Sequence, residues 1–486
     1  MNIIARDDEV AILEKMLNSD KAEFTAVYGR RRVGKTFLIK NLFSQKKCSF
    51  FYATGVQQGS YLNQRKNFCR RISEVFHNKL PLSVPEDWQG VFELLKNTID
   101  ALPKNRSIVL FFDEFPWMVT PRTQLLETLE YFWNEYWAND KRIKLIVCGS
   151  SASWIIKNII NNTGGLFQRV TCRLKVEPLK LGQAKVFLKS KGINLTEKQI
   201  TLLYMAVGGV PLYLEQAQKG LTADQIIDHL CFNKNGLLFD ELKELFKSLF
   251  KNETLYIKII KEIAKHRHGI SKDELSKRLK LPRGGRLSTR LEELEDAGFL
   301  ISFIPYQNKE RGEFFKIIDE YTLFYFNWIS PNLQSIRNLE KSTGVWLDKT
   351  KEGSYHAWKG YTFESICYKH ILQVMNKLKL KPSSLPYSWR ISSKRNKIDL
   401  GAQIDLLFDR PDDAISLCEI KYSDKPFVID KAYATSLISK KDIFIEQTKT
   451  KKQIFLILIA ANGVKENVYL KELIDDIVTL EDLFKA

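Results

Sequence analysis

Short, continuous runs of apolar residues alternate, over the first third of the chain, with stretches whose apolar positions recur every three or four residues. The runs are FTAVY (24–28), Phe50–Ala53, Ile108–Phe112 and Leu145–Cys148. The first leads into a Gly-rich basic turn and then an amphipathic stretch from about Lys35 to Phe43. Continuous runs of this length are typical of strands buried on both faces. Their alternation with helical stretches predicts an α/β domain on a mainly parallel sheet, over 1–178.

Over 179–250 the strand signal gives way to helical periodicity, broken at Gly208-Gly209-Val210-Pro211, where Gly and Pro enforce a turn; a small helical lid is expected. Between 251 and 330 a pair of helices, a third helix rich in arginine, and the alternating segments FLISFIPY and FFKII predict a winged helix-turn-helix. A helical stretch near Tyr321–Trp328 and a polar segment near 332–355 follow. The last domain, 355–486, again reads as α/β, with a helix at 361–377 and strands at 402–408, 414–422 and 453–460.

Composition narrows the partners. Lys and Arg outnumber Asp and Glu by 75 to 57, a net charge of +18, which favours a polyanion and DNA first among them. The seven cysteines show no CxxC pair and no zinc spacing, so buried thiols in a reducing compartment are expected. The start MNIIARDDEV has acidic residues where a signal peptide needs a basic start, and no apolar stretch approaches ~18 residues. No membrane association is expected, and the cytoplasm is the expected location.

The turn after the first run, Gly29-Arg30-Arg31-Arg32-Val33-Gly34-Lys35-Thr36, fits G-x-x-x-x-G-K-[ST] in a strand–loop–helix setting. Its backbone N–H groups would cradle the phosphates of ATP, Lys35 would reach the β- and γ-phosphates, and the Thr36 hydroxyl would bind Mg²⁺. The run Ile108–Phe112 ends in Asp113 and Glu114. Asp113 would hold the Mg²⁺ and Glu114 would polarise the attacking water. Ser150 and Ser151 close the run LIVCGSS, and one of them is either a sensor of the γ-phosphate or a helix cap. Arg169 is either an arginine finger, acting in cis or from a neighbouring subunit of a homo-oligomer, or a surface arginine.

The boxes IIARDDEVAIL, GRRRVGKT, FFDEFPWM, VCGSS, GLFQRVTCRLKVEPL and GGVPLYL, in that order, resemble the archaeal-type ATPase family related to signal-transduction NTPases and origin-recognition ATPases. The resemblance covers roughly the first 250 residues. It implies that the N-terminal box packs near the adenine, which brings in Arg6 and Glu9, and it places Ala5 where that box usually carries glycine.

In the basic helical unit, Arg283 precedes a helix expected from about Gly285 to Ala297, with Arg286 and Arg290 in its N-terminal part. They either meet DNA phosphates, as in a recognition helix, or are solvated or paired with Glu292, Glu293 and Glu295 in a unit used only for packing.

An E-x-K triplet alone means little, since average usage supplies about one or two in a chain of this length; Glu241-Leu242-Lys243 is such a decoy. Glu419-Ile420-Lys421 differs because it lies in a strand-like run, where residues two apart share a face. Upstream, Asp405 sits in a second apolar run, and a hairpin centred on Asp412 would set it directly opposite Glu419, close enough to share a divalent metal. Lys421 would steady the water or phosphate, and Glu364 would add a carboxylate. This arrangement, with the order Glu364, Trp389, Asp405, Glu419-x-Lys421, resembles the PD-(D/E)xK nuclease fold, the restriction-endonuclease-like domain often fused to the ATPase family above. The expected function is therefore ATP hydrolysis controlling metal-dependent action on DNA. The alternative is a regulatory ATPase switch whose last domain binds a partner or DNA without cutting.

Overall fold

The computed structural model describes residues 2–120, 123–281, 285–307, 312–338, 344–391 and 401–485, and the chain falls into two compact units, Met1–Pro178 and Leu179–Ala486. Arg283 lies outside the described residues.

The first unit is a five-stranded parallel sheet. Its strands are β1 (Glu23–Tyr28), β2 (Ser49–Thr54), β3 (Ile108–Asp113), β4 (Ile143–Cys148) and β5 (Cys172–Lys175), in the spatial order β2-β3-β4-β1-β5. Every residue of β3 and β4 is buried. Because side chains alternate along a strand, Leu110, Phe112, Leu145 and Val147 enter one core layer, with Phe68, Trp88 and Phe92 of the overlying helices. Val109, Phe111, Ile146 and Cys148 enter the other, with Leu38, Ile39 and Phe43. Helices therefore cover both faces, as a parallel sheet requires. Two of them start where a side chain satisfies an orphan amide: Ser60 caps Tyr61–Phe76 and Asp87 caps Trp88–Asp100.

The second unit opens with five helices, Leu181–Ser190, Glu197–Val207, Pro211–Leu214, Ala223–Cys231 and Glu241–Leu249. Next come the helix Glu253–Ala264, the two-residue strand β6 (Ile270–Ser271) and the helices Lys272–Leu279 and Gly285–Asp296. The antiparallel strands β7 (Leu300–Phe303) and β8 (Phe314–Ile317) pair as the two apolar segments predict, and with β6 they form a sheet in the order β6-β8-β7.

The region expected to be polar, 332–355, contains the short helices Leu333–Asn338 and Val345–Lys349. The helix expected at 361–377 is two helices, Gly353–Lys369 and Ile371–Lys377, and it begins eight residues early because Tyr355 and Trp358 are buried with Trp346 and Phe324. At the junction His370 is fully buried. Its Nδ1 donates to the Ile366 carbonyl at 2.8 Å and its Nε2 accepts the Leu181 amide at 3.0 Å, which defines one neutral tautomer.

The last sheet contains β9 (Leu385–Ile391), β10 (Ala402–Asp409), β11 (Ala414–Lys421), β12 (Gln453–Ala460) and β13 (Asp476–Thr479), in the order β13-β12-β11-β10-β9. β9, β10 and β11 are antiparallel; β11, β12 and β13 are parallel, with the helix Lys431–Thr448 crossing between β11 and β12. No helix among the described residues is long and apolar enough to cross a membrane. All seven cysteines are free thiols, six of them buried.

Candidate functional sites

In a parallel sheet the C-terminal ends of the strands share one edge. The loop after β1, the carboxylates after β3 and the serines after β4 therefore converge there, with β4 lying between the other two strands. The loop turns on Gly29 (φ 134°) and Gly34 (φ 92°), with Arg32 also left-handed at φ 72°. At Gly29 a Cβ would collide with the Val176 carbonyl, whereas at Gly34 the angle alone favours glycine.

Lys35 opens the helix Lys35–Phe43, and its ammonium bonds back to the carbonyls of Gly29 and Arg30 at 2.8 and 3.0 Å. Burial holds its pKa below the usual lysine value. The Thr36 hydroxyl donates to Asp113 Oδ2 at 2.7 Å. Burial raises the Asp113 carboxyl, and the Glu114 carboxylate beside it adds to the rise. A hydroxyl and a destabilised carboxylate are the hard oxygen donors that suit a divalent cation, so these residues fit Mg²⁺.

Arg30 and Val33 are buried, and the Arg31 guanidinium lies 5.9 Å from the Trp117 ring centroid. Arg6 ties the N-terminal box to the loop: it donates to the Val33 carbonyl at 3.0 Å and pairs with Glu9 at 2.7 Å. Ala5, where the resembling family carries glycine, has φ 56°.

Glu114 is held at φ 45°, and its carboxylate accepts the Ser150 amide at 3.0 Å and also the Ser150 hydroxyl. Ser150 thus touches Glu114, while Ser151 precedes the helix Ala152–Ile155 without a side-chain cap bond. Arg169 is exposed in the turn before β5 and makes no side-chain hydrogen bond or ion pair to the loop, Asp113 or Glu114.

The second cluster forms on the last sheet. β10 and β11 pair from Leu406↔Cys418 to Asp409↔Ile415, the register of a hairpin centred on Asp412, which continued by one residue sets Asp405 opposite Glu419. On its other side β10 carries a bulge: Asp405 and Leu406 together face Ser388 between the pairs Ile404↔Trp389 and Leu407↔Tyr387. The Asp405 carbonyl accepts the Tyr368 hydroxyl at 2.7 Å. Tyr368 stands four residues after Glu364 on the helix Gly353–Lys369, so both occupy one face.

Charge is unevenly shared in this cluster. Burial pushes the Glu364 carboxyl up to about 7, with Asp405 adding to the rise. Burial also raises Asp405, with Glu419 adding to it. For Glu419, burial is outweighed by Lys421 and Lys440, which hold its carboxyl below the usual value. Lys421 meets Glu419 at 2.8 Å, and Lys440 meets both of its oxygens at 2.8 and 2.9 Å.

Among the described residues no three Asp, Glu, His or Cys side chains form a ready metal cage. Burial raises both Glu364 and Asp405, and Asp405 adds to the rise of Glu364, so the two suit a cation, whereas Glu419 would have to exchange a lysine for it. Lys440, Tyr368 and Lys316, a β8 residue whose charge is felt by Glu364, are the neighbours that sequence reasoning missed. Only Lys440 left a signal, as a charge following Ala434 and Leu437 and preceding Phe444 on the buried stripe of its helix.

On the helix Gly285–Asp296, Arg286 is exposed and without an ion pair among the described residues, and Arg290 donates to the Arg286 carbonyl at 2.8 Å. Glu293 bonds to Tyr256 instead, and Glu295 accepts the Ser302 amide at 2.7 Å and hydroxyl at 2.9 Å.

Comparison with known proteins accords with the first site. An uncharacterized protein of Methanocaldococcus jannaschii is 26% identical over 87% of this chain and 88% of its own length. An uncharacterized ATP-binding protein of the same organism is 23% identical over 57% of this chain and 88% of its own. A Walker-type ATPase of Pyrococcus abyssi superposes with a TM-score of 0.48 at 18% identity, over 67% of this chain and 96% of that one. The model of an ATPase domain predominantly from Archaea matches residues 3–217. Over those residues the chain is similar to an archaeal-type ATPase domain.

Proposed function

We propose that the chain hydrolyses ATP with Mg²⁺ and, under nucleotide control, acts on DNA through a metal-dependent nuclease-like domain at its C-terminal end. The observation that carries the first half is the convergence of Lys35, the Thr36–Asp113 bond and the Glu114–Ser150 bond on one sheet edge. Thr36 and Asp113 would hold Mg²⁺, which neutralises phosphate charge when bound. Lys35 and the loop amides orient the phosphates, Glu114 orients the water, and Ser150 positions Glu114. Arg169 would serve from a neighbouring copy, which its exposure allows.

Support for the second half is the register that sets Asp405 opposite Glu419, with Glu364 and Lys421 as neighbours. There Asp405 and Glu419 would hold a metal that polarises phosphate and activates water, and Lys421 would steady the phosphate. In this reading 1–178 is the ATPase domain, 179–250 its lid, 251–330 a winged helix that meets DNA phosphates through Arg286, and 355–486 the nuclease-like domain, in a cytoplasmic protein.

A second reading, a switch whose last domain binds without cutting, is favoured by one observation: both oxygens of Glu419 are engaged by lysines. The deciding experiment measures ATP turnover and Mg²⁺- or Mn²⁺-dependent DNA nicking in parallel. Lys35→Ala and Glu114→Gln are expected to abolish turnover, and Lys421→Ala to abolish nicking. Unchanged turnover in both variants would sink the ATPase assignment. DNA left intact by the parent, or cut equally by Lys421→Ala, gives the second reading.

A further inference from the structure

A cavity of about 370 Å³ opens in the second unit beside the Glu364–Asp405–Glu419 cluster, with Glu364 as a wall. That volume lies in the range of sites for one small organic ligand. Its aromatic lining includes Phe303 of β7, Phe314 of β8, Trp389 of β9 and Tyr368; the Phe303 and Phe314 rings are 6.0 Å apart.

The polar groups are mostly cationic or donors. Lys316, Arg390 and His268 all line the cavity. The Lys316 ammonium has no hydrogen bond or ion pair with another described residue; the Tyr368 ring, at 5.4 Å, is its near contact. Burial lowers its pKa although Glu364 and then Asp405 pull it the other way, so the ammonium is still held at a cost that an anionic ligand would offset. His268 is held below its usual value by burial and then by Arg390, Lys316 and Arg267, which marks a positive field at this wall. The Gln403 amide joins cavity to cluster, with its Nε2 3.0 Å from both His268 Nδ1 and Asp405 Oδ1.

We propose that this cavity binds one nucleoside phosphate unit, its base against the aromatic walls and its phosphate on Lys316 and Arg390. Aromatic faces accept any base by stacking, and paired cations accept phosphate; together they exclude a purely apolar ligand and give a bare anion no reason for the rings. The occupant is a nucleotide of a single strand whose next phosphodiester lies at Glu364. This deepens the nuclease-like reading and rests on it for the strand.

The test uses the full chain carrying Lys35→Ala, so that the ATP loop does not compete, in EDTA, and follows fluorescence anisotropy of a labelled eight-nucleotide oligo-dT. The background is expected to bind it. Adding Lys316→Met or Phe314→Ala is expected to weaken binding about tenfold or more, the scale of losing one stacked or charge-paired nucleotide. Melting temperature checks the fold, and Lys316→Met, which removes a strained cation, is expected to leave it level or raise it.

Competition by dTMP that is lost in the same variants assigns the site to the nucleoside phosphate itself. Absence of dTMP competition, with oligonucleotide binding still lost, assigns it to the strand. No binding by the background, or equal binding by folded Lys316→Met and Phe314→Ala, overturns the proposal. Nicking by the parent in Mg²⁺, and its loss in Glu419→Gln, is scored separately. A chain that cuts while both cavity variants bind normally refutes the cavity alone; one that never cuts but loses oligonucleotide binding in the variants refutes the nuclease reading alone.

Discussion

His370 offers a prediction with a definite sign. Burial, as the main cause, lowers its pKa to about 3. The Leu181 amide already points at Nε2, so protonating that atom would set two N–H groups against each other. In the unfolded chain the imidazole titrates near ~6.5. The unfolded state therefore binds more protons between those two values, so stability from His370 is fully present above about 6.5 and is lost as pH falls towards 3.

Going from pH 7.5 to 5.0, the linkage relation gives a loss of about 2 kcal/mol, nearly all of it set by the unfolded value. The assay is urea denaturation of the parent and of His370→Gln at both pH values. Glu364, whose raised carboxyl works in the opposite direction, is present in both proteins and cancels in their difference. The stability advantage of the parent should shrink by about 2 kcal/mol at pH 5.0. A gap that stays constant or widens on acidification refutes a buried neutral His370.

Other outcomes follow from single contacts. Ala5→Gly should raise the urea midpoint, by a stability gain of roughly 0.5–1 kcal/mol, because an L residue in the left-handed region costs more than the freedom glycine adds to the unfolded chain; a lower midpoint contradicts this. Lys440→Met should lower the Mg²⁺ concentration for half-maximal nicking about tenfold, since a charge-assisted bond to Glu419 no longer competes with the metal; a higher requirement would mean that Lys440 is needed at the site. Arg286→Ala should reduce the slope of log affinity against log salt by about 1 in DNA binding, and an unchanged slope removes that arginine from the interface.

The parts legible in the sequence are those set by local pattern. The unit from β1 through Gly29–Thr36 to the helix Lys35–Phe43 is contiguous, and its glycines sit where the backbone turns left-handed. The register of β10 with β11 was legible too, because a short Arg410–Asp413 connection leaves little freedom in how the strands align. By contrast, Lys316, Tyr368 and Lys440 reach the second cluster from three separate elements, and only Lys440, a charge on the buried stripe of its helix, has a local sequence that hints at it. β9 went unread because LPYSWRI mixes polar and apolar residues, and β5 and β13 because four residues carry too little periodicity. The early start of the helix Gly353–Lys369 depended on the aromatic cluster around Trp346, a tertiary effect.

The bulge in β10 makes the second cluster sensitive to the length of one strand. Losing the single codon for Leu406 would let β10 pair evenly with β9, removing the irregularity at the cost of one fully buried leucine. The same loss would move Asp405 into step with Cys418 and turn it to the opposite face of the sheet. Among descendants of this chain, one in-frame deletion would separate a domain with opposed carboxylates from one without them. Counting residues between Ile404 and the Asp409 turn would then sort the two kinds of gene without any assay.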